Sequence, residues 1–148
     1  MKLTSVFGDS EEIPSKYTGD GEDISPPLNM SEVPTNAKSL ALIVDDPDAV
    51  SRDSWVHWVV WNIPPETLNI DEGEAPADSV IGINDFKKNS YGGPAPPSGT
   101  HRYFFKLYAL DTELNLSENS GKEELEKAME GHIIEETRLI GTYTRKNE

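Results

Sequence analysis

Seven consecutive residues, Trp55-Val56-His57-Trp58-Val59-Val60-Trp61, are all β-branched or aromatic, and Asn62-Ile63-Pro64-Pro65 ends the run. Side chains of this kind lose rotamer freedom in a helix and pack well on a pleated surface, so the run predicts a central β-strand. Leu40-Ala41-Leu42-Ile43-Val44 is a continuous apolar run stopped by Asp45-Asp46-Pro47-Asp48, which predicts a strand covered on both faces. Residues 102–110 are again aromatic and β-prone, and Asp111-Thr112 ends them. Three strands of this type, in a chain with eleven Gly and eleven Pro, suit a turn-rich globular protein better than a helical bundle and predict long turn-rich connections.

Other segments complete the expected architecture. Residues 3–7 and 80–83 read as short strands, and the turn-rich stretch from Gly8 to Pro34 is expected to wrap the surface. Ser120 is placed to cap a helix over roughly 122–130, with Glu123 and Glu124 in its first turn and Gly131 at its end. The tail from Ile133 to Tyr143 can extend that helix or form a last strand, and its β-prone end favours the strand. At 148 residues, with no repeat and no linker between two cores, the chain reads as one mainly all-β domain: a Greek-key-like β-sandwich with one C-terminal helix.

A net charge of −14 repels nucleic acid and anionic membrane surfaces, so neither is expected as a stable partner. Solubility, salt adaptation and steering of a basic partner all fit that charge. The chain has no Cys, which removes disulfides, thiolate metal sites and a thiol nucleophile. Its start, MKLTSVFGDSEEIP, lacks a long apolar segment, so a cytoplasmic location is expected.

In a regular strand His57 shares a face with Trp55, Val59 and Trp61. A histidine alone in such company is ordinarily a core residue whose ring nitrogens are satisfied locally. Here a second pair stands nearby: His101 and Tyr103 share one face at the start of the next core strand, directly after the loop Gly92-Gly93-Pro94-Ala95-Pro96-Pro97-Ser98-Gly99. Asp46 follows another core strand. If those strands are neighbours, a carboxylate, two imidazoles and a phenol meet at one end of the sheet. A carboxylate fixes imidazole tautomers, and the remaining donors suit phosphate or carboxylate oxygens. An ordinary Asp-Pro turn accounts equally well for Asp46-Pro47-Asp48 by itself.

Other chemistries find less support. No G-x-S-x-G elbow, P-loop or dinucleotide-binding glycine pattern is present. His57, His101 and Asp46 match no zinc spacing, and His132 lies far along the chain. No cofactor is expected. Arg102 faces away from His101 and is expected to pair with an acidic residue, while Trp58 and Trp61 belong to the core and Trp55 to a pocket wall.

Taken together, Ser25-Pro26-Pro27-Leu28, Leu42-Ile43-Val44-Asp45-Asp46-Pro47-Asp48-Ala49, His57-Trp58, and Gly92-Gly93-Pro94 leading to Gly99-Thr100-His101-Arg102-Tyr103 resemble the phosphatidylethanolamine-binding protein family, in its prokaryotic Raf-kinase-inhibitor-like branch. The resemblance runs to the closing Gly141-Thr142-Tyr143. Val50 stands where the family often has proline, and Met30 where an aromatic is common. The resemblance implies a β-sandwich with a pocket for phosphate, acetate or a phosphoryl headgroup, formed by Asp46, Asp48, Trp55, His57, Pro96, Pro97, His101 and Tyr103. It also implies a non-catalytic modulator of a kinase or serine protease. The charge points to a small soluble anion instead of a membrane lipid. The alternative is a hydrolase, or a metal-assisted hydrolase, that uses the same His/Asp cluster.

Overall fold

The computed structural model describes residues 1–50 and 54–146. Its strands are β1 (Lys2–Thr4), β2 (Glu11–Glu12), β3 (Leu28–Ser31), β4 (Ser39–Asp46), β5 (Trp55–Ile63), β6 (Asn69–Ile70), β7 (Val80–Ile81), β8 (Thr100–Leu110) and β9 (Ile133–Thr144), with one helix, α1 (Lys122–Met129). A six-stranded sheet has the order β2-β9-β8-β4-β5-β7, and a three-stranded sheet the order β1-β3-β6. All pairings are antiparallel except that of β2 with β9. The fold is thus the expected mainly-β sandwich with a single helix.

The large sheet is covered on both faces, which is why β4 reads as an unbroken apolar run. One core lies between the sheets and joins Leu3, Leu28, Met30 and Ile70 to Leu42, Val44, Val60, Phe105 and Leu107. The other lies under α1, where Leu125 and Met129 pack on Ala41, Ile43, Val59, Trp61 and Tyr108. Every residue of β4 is buried. The closing segment is a strand, and β9 pairs with β8 along its length.

The expectations for the helix cap and for the N-terminal stretch need correction. Ser120 does not cap α1: the cap is Gly121, whose N–H donates to the Glu124 carboxylate at 2.8 Å, while the Ser120 carbonyl accepts from Ile83. The stretch from Gly8 to Pro34 does more than wrap the surface. It contributes the buried Ile13, Tyr17, Leu28 and Met30 and supplies β3, the middle strand of the small sheet. Strands of two to four residues such as β2, β3 and β6 are too short for alternation to mark them.

A β-bulge determines which side chains of β5 face the site. Val44 pairs with Trp58 but Asp45 with Val56, so one step on β4 spans two on β5, and His57 is the extra residue. Strict alternation is broken there. Trp55, His57 and Trp58 lie on the inter-sheet side, and Val59 and Trp61 face α1, so His57 does not share their face. The backbone of Val56 at the bulge is bonded by Asp85, whose N–H donates to the Val56 carbonyl at 2.9 Å and whose carboxylate accepts the Val56 N–H at 2.7 Å. Among the described residues no helix is long and apolar enough to cross a membrane.

Candidate functional site

Strands β4, β5 and β8 are neighbours, and their ends near Asp46, Trp55 and His101 lie together. Between them opens a cavity of about 210 Å³. The structure brings Asp46, Trp55, His57, Pro96, Pro97, His101 and Tyr103 to its wall. Asp48 is not part of that wall. Its two carboxylate oxygens take Arg102 Nε at 3.0 Å and Nη2 at 2.9 Å, and one of them also accepts the Arg102 N–H at 2.9 Å. The expected acidic partner of Arg102 is therefore Asp48, and the guanidinium holds its carboxyl below the usual carboxylate range. Asp48 pins the Asp46-Pro47-Asp48 turn to β8.

Asp46 sits at the opposite side of the same turn. One carboxylate oxygen accepts the Asp48 N–H at 2.7 Å, closing the turn, and the other accepts His101 Nδ1–H at 2.6 Å. Both Asp46 and His101 are buried. With Nδ1 committed to a carboxylate, His101 has only Nε2 for a ligand. His57 is oriented differently: its Nδ1 donates to the Gly92 carbonyl at 2.6 Å, and the Gly92 N–H returns a bond to the His57 carbonyl at 3.0 Å. Burial lowers the His57 pKa, opposed by the Gly92 bond and by Asp46, Asp45 and Asp23, so the ring is neutral at pH 7 with a lone pair on Nε2.

Tyr103 joins the two rings. Its phenol lies edge-on to His57, 5.3 Å between centroids, and stacks beside His101 at 6.4 Å. It is 1% exposed, and its hydroxyl makes no hydrogen bond among the described residues. Burial, then the charges of Asp46 and Asp48, push its pKa far above the ordinary tyrosine value. At any ordinary pH it is an O–H donor.

Above this polar floor the wall is apolar. Phe86 stands edge-on to Trp55 at 5.4 Å and to His57 at 5.6 Å, and Ala49, Val50 and Ala95 complete the wall. Val50 is 77% and Phe86 40% exposed, so the rim presents hydrophobic surface to solvent. Sequence reasoning missed Phe86. The available signal was an aromatic between the charged residues Asp85 and Lys87; Asp85 fixes the loop against β5 through its bonds to Val56.

The loop carrying Pro96 and Pro97 is held by the N-terminal segment. Gly93 N–H donates to Asp23 at 2.7 Å, Gly19 N–H to the Pro94 carbonyl at 2.8 Å, and Tyr91 O–H to the Tyr17 carbonyl at 2.6 Å. A side chain at Gly93 would come within 2.5 Å of the Asp23 carboxylate and 2.7 Å of the Tyr17 carbonyl, so this approach needs glycine. Asn84 organises the far side, donating to the His57 and Ser90 carbonyls and accepting from the N–H groups of Phe86 and Lys88. Among the described residues no three His, Asp or Glu side chains gather in a metal-ligating group.

Comparison with known proteins agrees with this architecture over nearly the whole chain. A family model described as phosphatidylethanolamine-binding protein matches residues 3–144. A UPF0098 protein of Methanothermobacter thermautotrophicus is 54% identical over 147 residues, covering 96% of this chain and 97% of the relative. A solved structure of a phosphatidylethanolamine-binding protein homologue from Chlamydia trachomatis superposes with a TM-score of 0.93 at 46% identity, covering 97% of each chain. YbcL of Escherichia coli, described as a member of the mammalian family, superposes with a TM-score of 0.90 at 30% identity, covering 98% of each chain. The chain belongs to the phosphatidylethanolamine-binding protein family.

Proposed function

We propose that the cavity binds a small anion, phosphate or a phosphoryl or carboxylate group carried by a larger molecule, and that the protein acts as a non-catalytic binding and regulatory module. The observation that carries this reading is the polar floor. A buried phenol O–H without a hydrogen-bond partner among the described residues lies beside two imidazoles, each of which has committed Nδ1 inside the protein and kept Nε2. Three groups of this kind around one small cavity suit an oxyanion: Tyr103 donates, and each Nε2 accepts from a protonated oxygen or takes up a proton and donates. Among the described residues the wall has no serine, threonine or cysteine, and its one hydroxyl, that of Tyr103, is held as O–H, which favours binding over acyl or phosphoryl transfer.

The exposed apolar rim around that floor is suited to the organic part of the ligand or to a protein surface bearing the anionic group. Inhibition of a kinase or serine protease, the activity the family resemblance implies, is the regulatory outcome to assay.

Titration with inorganic phosphate, followed through the histidine ring signals by NMR, tests the reading. The His57 and His101 signals should move together and saturate, and His101→Ala should abolish the response. No movement at millimolar phosphate refutes it. Turnover of phosphoesters or carboxylic esters by the purified protein, lost in both His57→Ala and His101→Ala, would instead establish the hydrolase alternative.

A further inference from the structure

A second cavity, of about 270 Å³, shares no wall residue with the anion site. Two loops and the stretch before Gly92 form it. Gly73 N–H donates to the Ser25 carbonyl at 2.9 Å, which ties residues 73–75 to residues 23–25. Tyr91 stands edge-on to Trp58, 5.5 Å between centroids, and Ile24, Ala75 and Ile81 add apolar surface. The described wall holds two carboxylates, Asp23 and Glu74, and no Lys, Arg or His.

The polar groups of this wall are largely uncommitted. One Asp23 carboxylate oxygen accepts the Gly93 N–H at 2.7 Å; the other, and the whole Glu74 carboxylate, have no donor among the described residues. Asn89 spends its amide N–H groups on the Ile81 carbonyl at 3.0 Å and the Glu118 carbonyl at 2.8 Å, which leaves its oxygen as an acceptor. Ser25 is 4% and Trp58 2% exposed, yet among the described residues neither the Ser25 hydroxyl nor the Trp58 indole N–H has a hydrogen-bond partner. Neither group is sealed from water, so both open into the cavity whose wall they form. Side chains this deeply buried ordinarily have their polar atoms paired, and a ligand in the cavity would pair these.

We propose that this cavity binds a small aliphatic primary amine in its ammonium form. An ammonium carries three N–H donors and no acceptor, which matches a wall offering the acceptors Asp23, Glu74, Asn89 and Ser25. The carbon skeleton lies on Ile24, Ile81 and the aromatic rings, and an oxygen on that skeleton accepts the Trp58 indole N–H. A bare cation would leave the rings and the indole N–H unused. The net charge of −14 raises the local concentration of any cation, so the same field that opposes anions at long range favours this ligand.

Titration of the full chain with aminopentanol at neutral pH and low salt, followed through the Trp58 indole N–H signal by NMR, tests this; Trp58→Phe identifies the signal by deleting it. Pentanediol and hydroxypentanoate, which put a neutral hydroxyl or a carboxylate where the ammonium stands, are the controls. Aminopentanol should shift the signal saturably with a Kd of about 1–10 mM, and the controls should not. Glu74→Gln should weaken binding by about two- to fivefold, as for an exposed ion pair, and D23N/E74Q by about tenfold. The amide oxygen of Asp23→Asn can still accept the Gly93 N–H, and unchanged methyl signals confirm folding; if the double variant does not fold, Glu74→Gln alone decides. The His57 and His101 signals should stay in place throughout. A Trp58 signal that does not move at about 50 mM aminopentanol overturns the proposal, as does an equal response to pentanediol or an affinity indifferent to these carboxylates.

Discussion

Replacing Tyr103 with phenylalanine should change stability and binding in opposite directions. The Tyr103 hydroxyl is buried and makes no hydrogen bond among the described residues, although in the unfolded chain it is solvated by water. A buried polar group without a partner costs about 1–3 kcal/mol, so Tyr103→Phe, which removes the oxygen and keeps the ring packing on His57 and His101, should stabilise the ligand-free protein by up to that amount. For a chain of this length each kcal/mol raises the melting temperature by about 2–4 °C, giving a rise of roughly 2–12 °C by calorimetry in phosphate-free buffer. In saturating phosphate that advantage should be offset. A hydrogen bond to a charged group contributes about 1.5–3 kcal/mol, so the variant should bind phosphate roughly 10- to 100-fold more weakly and gain less from its presence. A variant less stable than wild type without ligand would mean that the hydroxyl has a partner in the folded protein, and an unchanged phosphate affinity would mean that it does not touch the anion. Either result refutes the reasoning.

The His57 environment gives a pH dependence with a definite sign. Burial lowers its folded pKa below the unfolded value of about 6.5, so the unfolded chain binds more protons in that range; this contribution to stability is present above about pH 6.5 and lost as pH falls. The urea midpoint should therefore decline below about pH 6.5, and His57→Gln should lose that part of the slope. An anion at Nε2 favours the charged ring, so phosphate affinity measured by calorimetry should rise over the same interval. Asp46→Ala and Asp48→Ala should separate the two carboxylates of the turn in chemical denaturation. The first leaves the buried His101 Nδ1–H without its acceptor and should cost about 1–3 kcal/mol, whereas the second breaks a half-exposed pair and should cost about 1 kcal/mol or less.

How legible the site was in the sequence differs residue by residue. Asp46, His101 and Tyr103 were placed by local rules: a turn at the end of an apolar run, and two side chains two apart at the start of another. The pairing of Arg102 with an acidic residue was also legible, because a side chain between two inward-facing neighbours must face outward. Its partner was not, and the finding that Asp48 serves Arg102 while lying off the cavity wall required the register of β4 against β8. His57 shows the limit of periodicity. Its place in the cavity depends on a bulge, which no alternation pattern within residues 55–61 can reveal.

The identity of the long strands β4, β5 and β8, the mainly-β class and the ring chemistry of the cavity came from the sequence by itself, because side-chain shape and turn chemistry are local properties of neighbouring residues. Tertiary structure alone decided which side chains meet. Phe86 reaches the wall because Asp85 bonds to a bulged strand, and Gly93 must lack a side chain because Asp23 and Tyr17 approach it from elsewhere in the chain. These depend on contacts between residues far apart in sequence, whose free energy exists only once the sheets have packed.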